Sequence, residues 1–171
     1  MENTARQQFG HDTTTDEVLE GIDLTGKRVL VTGGSSGIGQ ETARAMASKG
    51  AEVILTARNE TKGKQVVAEI RAATGNEKVS TMPVELGSLS SIRSFAEAFL
   101  SQYDALDLLI NNAGVMACPQ SKTEDGFEKQ FGVNHLGHFL LTELLSPALV
   151  KAAPSRVVNV SSRAHRMSPV V

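Results

Sequence analysis

The 171-residue sequence contains no tryptophan, one tyrosine and one cysteine, and only 4% of its residues are aromatic. The single cysteine, Cys118, excludes an internal disulfide and points to a reducing compartment, with the cytoplasm as the expected location. No apolar run approaches the roughly 20 residues that cross a bilayer. The polar start over 1–10 also lacks the hydrophobic stretch of a secretory signal. An excess of one charge is missing too: Lys+Arg 17 against Asp+Glu 19 leave a net charge of −2, scattered along the chain. That balance offers no basic face for nucleic acid and no polybasic patch for a membrane. His135 and His138 could begin a metal site, but no third ligand has suitable spacing, so no metal is expected. Cys118 has no histidine or other base placed beside it by sequence and reads as a loop residue.

What the chain does have is a glycine-rich turn in a definite context. Residues 29–39 read Val-Leu-Val-Thr-Gly-Gly-Ser-Ser-Gly-Ile-Gly, an apolar strand running into a turn with Gly33, Gly37 and Gly39, and a helical segment follows at once. Glycines there permit positive φ and close backbone approach, and the N–H groups at the start of the helix point at an anion. The arrangement suits the pyrophosphate of a dinucleotide.

The pattern around this turn alternates apolar runs with amphipathic stretches. It predicts strands over 28–32, 53–57, 79–84, 106–110 and 156–160, with Pro83 arguing that the third lies at an edge. Helices are predicted over 38–49, 61–74, 88–103 and 124–145, the second ended by Gly75 and the last stopping near Pro147. Thr14 and Glu17 have the spacing of a capping box for a short helical turn in a polar N-terminal extension over 1–24. The βαβ rhythm from residue 25 onward implies an α/β fold, a doubly wound parallel sheet of the Rossmann type with five strands.

Two other phosphate loops compete for the same glycines. A P-loop needs lysine and then serine or threonine after its last glycine, whereas Gly39 is followed by Gln40 and Glu41. The spacing Gly-x-Gly-x-x-Gly is absent as well; the chain has Thr-Gly-x-x-x-Gly-x-Gly over 32–39. That turn resembles the cofactor turn of the short-chain dehydrogenase/reductase family. Later segments carry the resemblance further: Asn111-Asn112-Ala113-Gly114, Val133-Asn134-His135 and Val158-Asn159-Val160-Ser161-Ser162 match family motifs in order and spacing. The wording around Asn134 and Ser162 is most similar to the retinol-dehydrogenase-like branch.

The resemblance implies an NAD(P)-dependent oxidoreductase that interconverts a carbonyl and an alcohol on a small-molecule substrate. Gly33, Ser35, Ser36, Gly37, Ile38 and Gly39 would hold the phosphates, Leu86 would line the adenine pocket, and Asn112, Ala113 and Gly114 would brace strand four against strand five and admit the adenosine side. Glu85 stands where the family commonly has aspartate. Arg58 follows strand two, and Ala57 occupies the place of an acidic residue that would bind both ribose hydroxyls. A guanidinium there suits a 2′-phosphate, so NADP is favoured, with NAD possible. Asn134 would bend its helix and hold a water in a proton relay, and Ser162, with Ser161 as the close alternative, would orient the reacting oxygen.

The family's acid/base is a tyrosine in a Tyr-x-x-x-Lys pair on the helix after strand five, and this sequence lacks it. Its only tyrosine, Tyr103, precedes strand four. The chain is therefore expected to be the N-terminal part of such an enzyme and inactive by itself, a homo-oligomer being expected only for the complete form. The alternative is a dinucleotide-binding or regulatory protein without chemistry.

Overall fold

The computed structural model describes residues 9–162. Residues 1–8 of the expected N-terminal extension, and residues 163–171, lie outside this range. Five strands, β1 (Arg28–Val31), β2 (Glu52–Ala57), β3 (Val79–Pro83), β4 (Leu108–Asn111) and β5 (Arg156–Asn159), form one sheet in the order β3-β2-β1-β4-β5. Every pairing is parallel. The predicted strands are thus all present, and β3, with Pro83 at its end, is an edge as expected.

Alternation along the strands assigns side chains to two layers. Val29, Val31, Val53, Leu55 and Ile110 face α2 (Gly37–Ser48) and α3 (Glu60–Thr74), meeting Ala43, Ala47, Val66, Val67 and Ile70. Leu30, Ile54 and Leu109 face the opposite way, toward α4 (Leu89–Gln102) and α6 (Gly137–Lys151), where Phe95, Phe99, Leu141 and Leu145 fill the layer. Phe99, Leu141 and Leu145 are fully buried; burial of one such side chain contributes about 1.5–3 kcal/mol. Small alanines on α2 let it approach the sheet closely, which holds its N-terminus against the end of β1.

The helix ends carry local signals. Asn59 caps α3 by accepting from Lys62 N, Ser88 caps α4 by accepting from Ser91 N, and Gly75 ends α3 with φ 68°. The last helical region departs from the sequence pattern. Instead of running over 124–145, it begins with α5 (Lys129–Phe131), passes through a π-helical stretch at Gly132–Leu136, and continues as α6 through Pro147 to Lys151. Pro147 does not stop the helix because it and Glu143, four residues earlier, both lie on the exposed face, where water can serve the freed carbonyl. Glu124 forms part of a turn, held by its N–H donating to the Gly87 carbonyl.

A short helix, α1 (Thr15–Val18), carries the expected capping box between Thr14 and Glu17. It lies on α2 through one cation: Arg44 donates to Asp16 at 2.9 Å and to both carboxylate oxygens of Glu41, which also accepts from the Thr15 hydroxyl. The bonds from Arg44, then Thr15, hold the Glu41 carboxyl at about 2, below its ordinary 4.5. A depressed carboxylate stabilises the fold fully above its unfolded value, and that contribution is lost as pH falls from 4.5 through about 2. Acidification across that window, or Arg44→Ala at neutral pH, should increase cleavage within and just after α1, over 15–20, several-fold. Limited digestion checks this, with pepsin at acid pH and a glutamate-specific protease at neutral pH. Unchanged cleavage in both arms would show that the cluster does not secure α1.

Candidate functional site

The sheet order reverses between β1 and β4, and the segments leaving those two strands enclose a crevice at their carboxyl ends. After β1 the chain turns through Gly33 at φ 65° and Gly37 at φ 56°. A Cβ on Gly33 would lie 2.9 Å from Ala113 Cα, and one on Gly39 would lie 2.4 Å from both the Gly33 carbonyl oxygen and Asn112 Nδ2. The turn therefore presses its backbone against the segment after β4, and α2 begins directly from it. Ser36, at the N-cap of α2, makes no side-chain capping bond, in contrast to Asn59 and Ser88 on the neighbouring helices. The N–H groups of the first turn of α2 thus have no capping side chain to meet them, which suits an anion.

Gly33, Ser35, Ser36, Arg58, Leu86, Ala113 and Gly114 line one cleft in this crevice. Arg58 is exposed at the end of β2 with Nη1 3.9 Å from Glu85 Oε2, while Glu85 Oε1 accepts from Gly87 N at 2.8 Å. Leu86 is buried. Three of the predicted phosphate residues do not line this cleft: Ile38 points outward, 73% exposed, Gly37 borders a groove beside Gln40 and Arg44, and Gly39 is buried.

Asn112 does not brace β4 against β5 as expected. Its Nδ2 donates to the Thr32 carbonyl at 2.8 Å, tying the end of β4 to the glycine turn. The brace to β5 comes from Asn111, whose Nδ2 donates to Asn159 Oδ1 at 2.8 Å. Position along the strand explains the exchange: Asn111 is the last residue of β4 and pairs with Asn159, whereas Asn112 has already left the ladder.

Ala113 and Gly114 also line a second, larger cleft, together with Asn134, His138, Ser161 and Ser162. Asn134 sits in the π-helical stretch, where Gly137 N donates to the Gly132 carbonyl five residues back. Its amide grips one residue from both sides, Oδ1 accepting from Val115 N at 2.8 Å and Nδ2 donating to the Val115 carbonyl at 2.9 Å. Gly137 allows this bulge to pack, since a Cβ there would lie 2.5 Å from the Leu86 carbonyl oxygen. His135 and His138 are not a metal pair: the His135 ring stacks on Phe131, while both ring nitrogens of His138 are engaged, with Thr32 and with the Asn134 carbonyl. Among the described residues no group of three ligand-type side chains could hold a metal.

Two polar residues central to this crevice were missed in the sequence. Thr32 is fully buried and its hydroxyl accepts from Asn112 N at 2.9 Å and from Ala113 N at 3.0 Å. His138, 5% exposed, is its partner at 2.8 Å. The available signals were a polar residue ending an otherwise apolar strand and a histidine four residues beyond Asn134. Tyr103 lies at the other end of the sheet, against Phe99 and under the Arg28 guanidinium at the start of β1.

Residues 27–171 match the family described as short chain dehydrogenase. The chain belongs to the short-chain dehydrogenase family. Retinol dehydrogenase 11 of Homo sapiens is 53% identical over 149 residues, which span 87% of this chain and 47% of that protein. The chain thus spans about half the length of that curated relative. A metagenomic short-chain oxidoreductase solved in complex with NADP superposes with a TM-score of 0.72 at 36% identity, over 86% of this chain and 66% of the other. RhlG of Pseudomonas aeruginosa, in an active-site complex with NADP, gives a TM-score of 0.73 at 32% identity, over 87% and 59%. Among the described residues, no helix of the chain is long and apolar enough to cross a membrane.

Proposed function

We propose that this chain supplies the NADP(H) site and the substrate-orienting side of an oxidoreductase that interconverts a carbonyl and an alcohol. The observation that carries this reading is the first cleft, where an uncapped helix start, a turn with no room for a Cβ and the exposed Arg58 guanidinium, 3.9 Å from Glu85, converge. A dinucleotide fits these residues. Backbone N–H groups of Gly37, Ile38 and Gly39, with the Ser35 and Ser36 hydroxyls, hold the pyrophosphate. Arg58 holds the 2′-phosphate, Leu86 covers the adenine, and Asn112, Ala113 and Gly114 form the floor that leads into the second cleft. NADP(H), when bound, supplies or accepts the hydride.

In the second cleft Ser162 donates a hydrogen bond to the reacting oxygen, and Asn134 fixes the loop at Val115 that borders it. No tyrosine stands beside them among the described residues, since Tyr103 is at the opposite end of the sheet. The 171-residue chain by itself therefore binds cofactor with negligible turnover, a behaviour shared by the second reading, a dinucleotide-binding protein without chemistry.

Titration of NADPH and NADH fluorescence tests the cofactor assignment. Arg58→Ala should weaken NADPH about 10-fold or more and leave NADH within about 2-fold, because only the former carries the charge that the guanidinium meets. Equal losses for both, or no binding by the parent chain, would overturn it. Rapid NADPH oxidation by the parent chain with ketones or aldehydes would refute the absence of turnover.

A further inference from the structure

His138 belongs to neither assigned set of site residues, yet it touches both clefts' supporting structure. Its Nε2 lies 2.8 Å from the Thr32 hydroxyl and its Nδ1 lies 2.9 Å from the Asn134 carbonyl oxygen. Its own carbonyl accepts from the Thr142 hydroxyl at 2.8 Å, which in turn accepts from Asn111 Nδ2 at 3.1 Å, and Asn111 reaches Asn159 on β5. One hydrogen-bonded chain thus runs from the floor beneath the glycine turn, through the helix, to the strand that leads to Ser161 and Ser162.

The donors in this chain determine the state of the imidazole. Thr32 Oγ1 already accepts two backbone N–H bonds, from Asn112 and Ala113, which occupy its lone pairs. Its one hydrogen must be given away, to His138 Nε2 at 2.8 Å in preference to the Ile110 carbonyl at 3.4 Å. Nε2 is therefore the acceptor and Nδ1 carries the proton. The other side agrees independently: a carbonyl oxygen can only accept, so Nδ1 must donate to Asn134. The opposite tautomer would place a third donor on Thr32 and a lone pair against the Asn134 carbonyl.

We infer that His138 is a positioning residue, held neutral with its proton on Nδ1, which locks the cofactor floor at Asn112–Ala113 to the Asn134 bulge on the substrate side. The ligand arm of this inference rests on the first cleft being the NADP(H) site. Every group bonded to the ring is uncharged, and His135 and Glu143 are the titratable side chains that border the same cleft. Burial, partly offset by the bond to Asn134, pulls the imidazole below its ordinary 6.5, in keeping with a neutral ring. Because the folded value is the lower one, the support is complete above 6.5 and is lost progressively as pH falls from 6.5 to the folded value.

Two variants separate the halves of the lock. Gln places an acceptor near the Nε2 position and loses the donor to Asn134, while Asn places a donor near Nδ1 and loses the acceptor for Thr32. His138→Gln should keep NADPH affinity within about 2-fold, and His138→Asn should weaken it about 10-fold, the loss of one oriented buried bond. On the unmodified full chain, 15N imidazole spectra should show the proton on Nδ1 of His138 and should show this ring protonating below its ordinary 6.5. A proton on Nε2, a ring charged at neutral pH, or Gln and Asn variants that bind NADPH alike would overturn the inference. Failure of the parent chain to bind NADPH would refute the cofactor site, and the spectra would still decide the tautomer.

Discussion

Gly39→Ala should weaken NADPH binding about 100-fold or more, the largest loss expected from any single methyl in this chain. The added carbon would lie 2.4 Å from the Gly33 carbonyl oxygen and 2.4 Å from Asn112 Nδ2. Neither neighbour can step aside cheaply. Gly33 is held at φ 65° with its own backbone against Ala113, and Asn112 Nδ2 is committed to the Thr32 carbonyl at 2.8 Å. The first turn of α2 must therefore swing away from the crevice, carrying the N–H groups that would face the pyrophosphate. Overpacking of this kind also lowers fold stability by about 1–3 kcal/mol. Gly37→Ala is the matched control. Its φ of 56° strains an alanine, but nothing lies within 4 Å of the new carbon, so binding should fall much less. Binding by Gly39→Ala within about 3-fold of the parent would refute the tight-turn account.

The strands and the helices that flank them were legible because burial on both sheet faces produces short apolar runs, and because Gly75 marks a helix end chemically. The glycine turn was legible for the same kind of reason: only a backbone that must approach another backbone needs glycine at Gly33 and Gly39. The region after residue 124 was read less well. A π-helical stretch shifts the hydrogen-bond partner from four residues to five, and a period near 3.6 in the apolar pattern cannot show that shift. Pro147 misled because its effect depends on which side of the helix it occupies, a property of packing. Thr32 and His138 stayed hidden for a related reason. Their importance lies in a bond between residues 106 positions apart, and neither carries a local motif.

Thr32→Val should lower the stability of the fold by about 3 kcal/mol, although it changes shape very little. Valine keeps the branched outline of threonine and replaces the hydroxyl with a methyl group. That one oxygen accepts from Asn112 N and Ala113 N and donates to His138, so its loss leaves three polar groups without their partner in a buried place. Each such group costs about 1–3 kcal/mol when water cannot reach it, and the cleft beside Ala113 relieves part of that penalty. Thr56→Val supplies the comparison. Thr56 is also buried, but its hydroxyl accepts one bond, from Gly33 N at 3.2 Å, and about 1 kcal/mol is expected. Thr32→Ser keeps the oxygen and should restore the hydrogen-bond contribution, losing only methyl contacts. Urea unfolding of the three variants measures the series. A fold that tolerates valine equally at Thr32 and Thr56 would mean that the buried hydroxyl at the end of β1 is not what joins the glycine turn to the helix carrying Asn134 and His138.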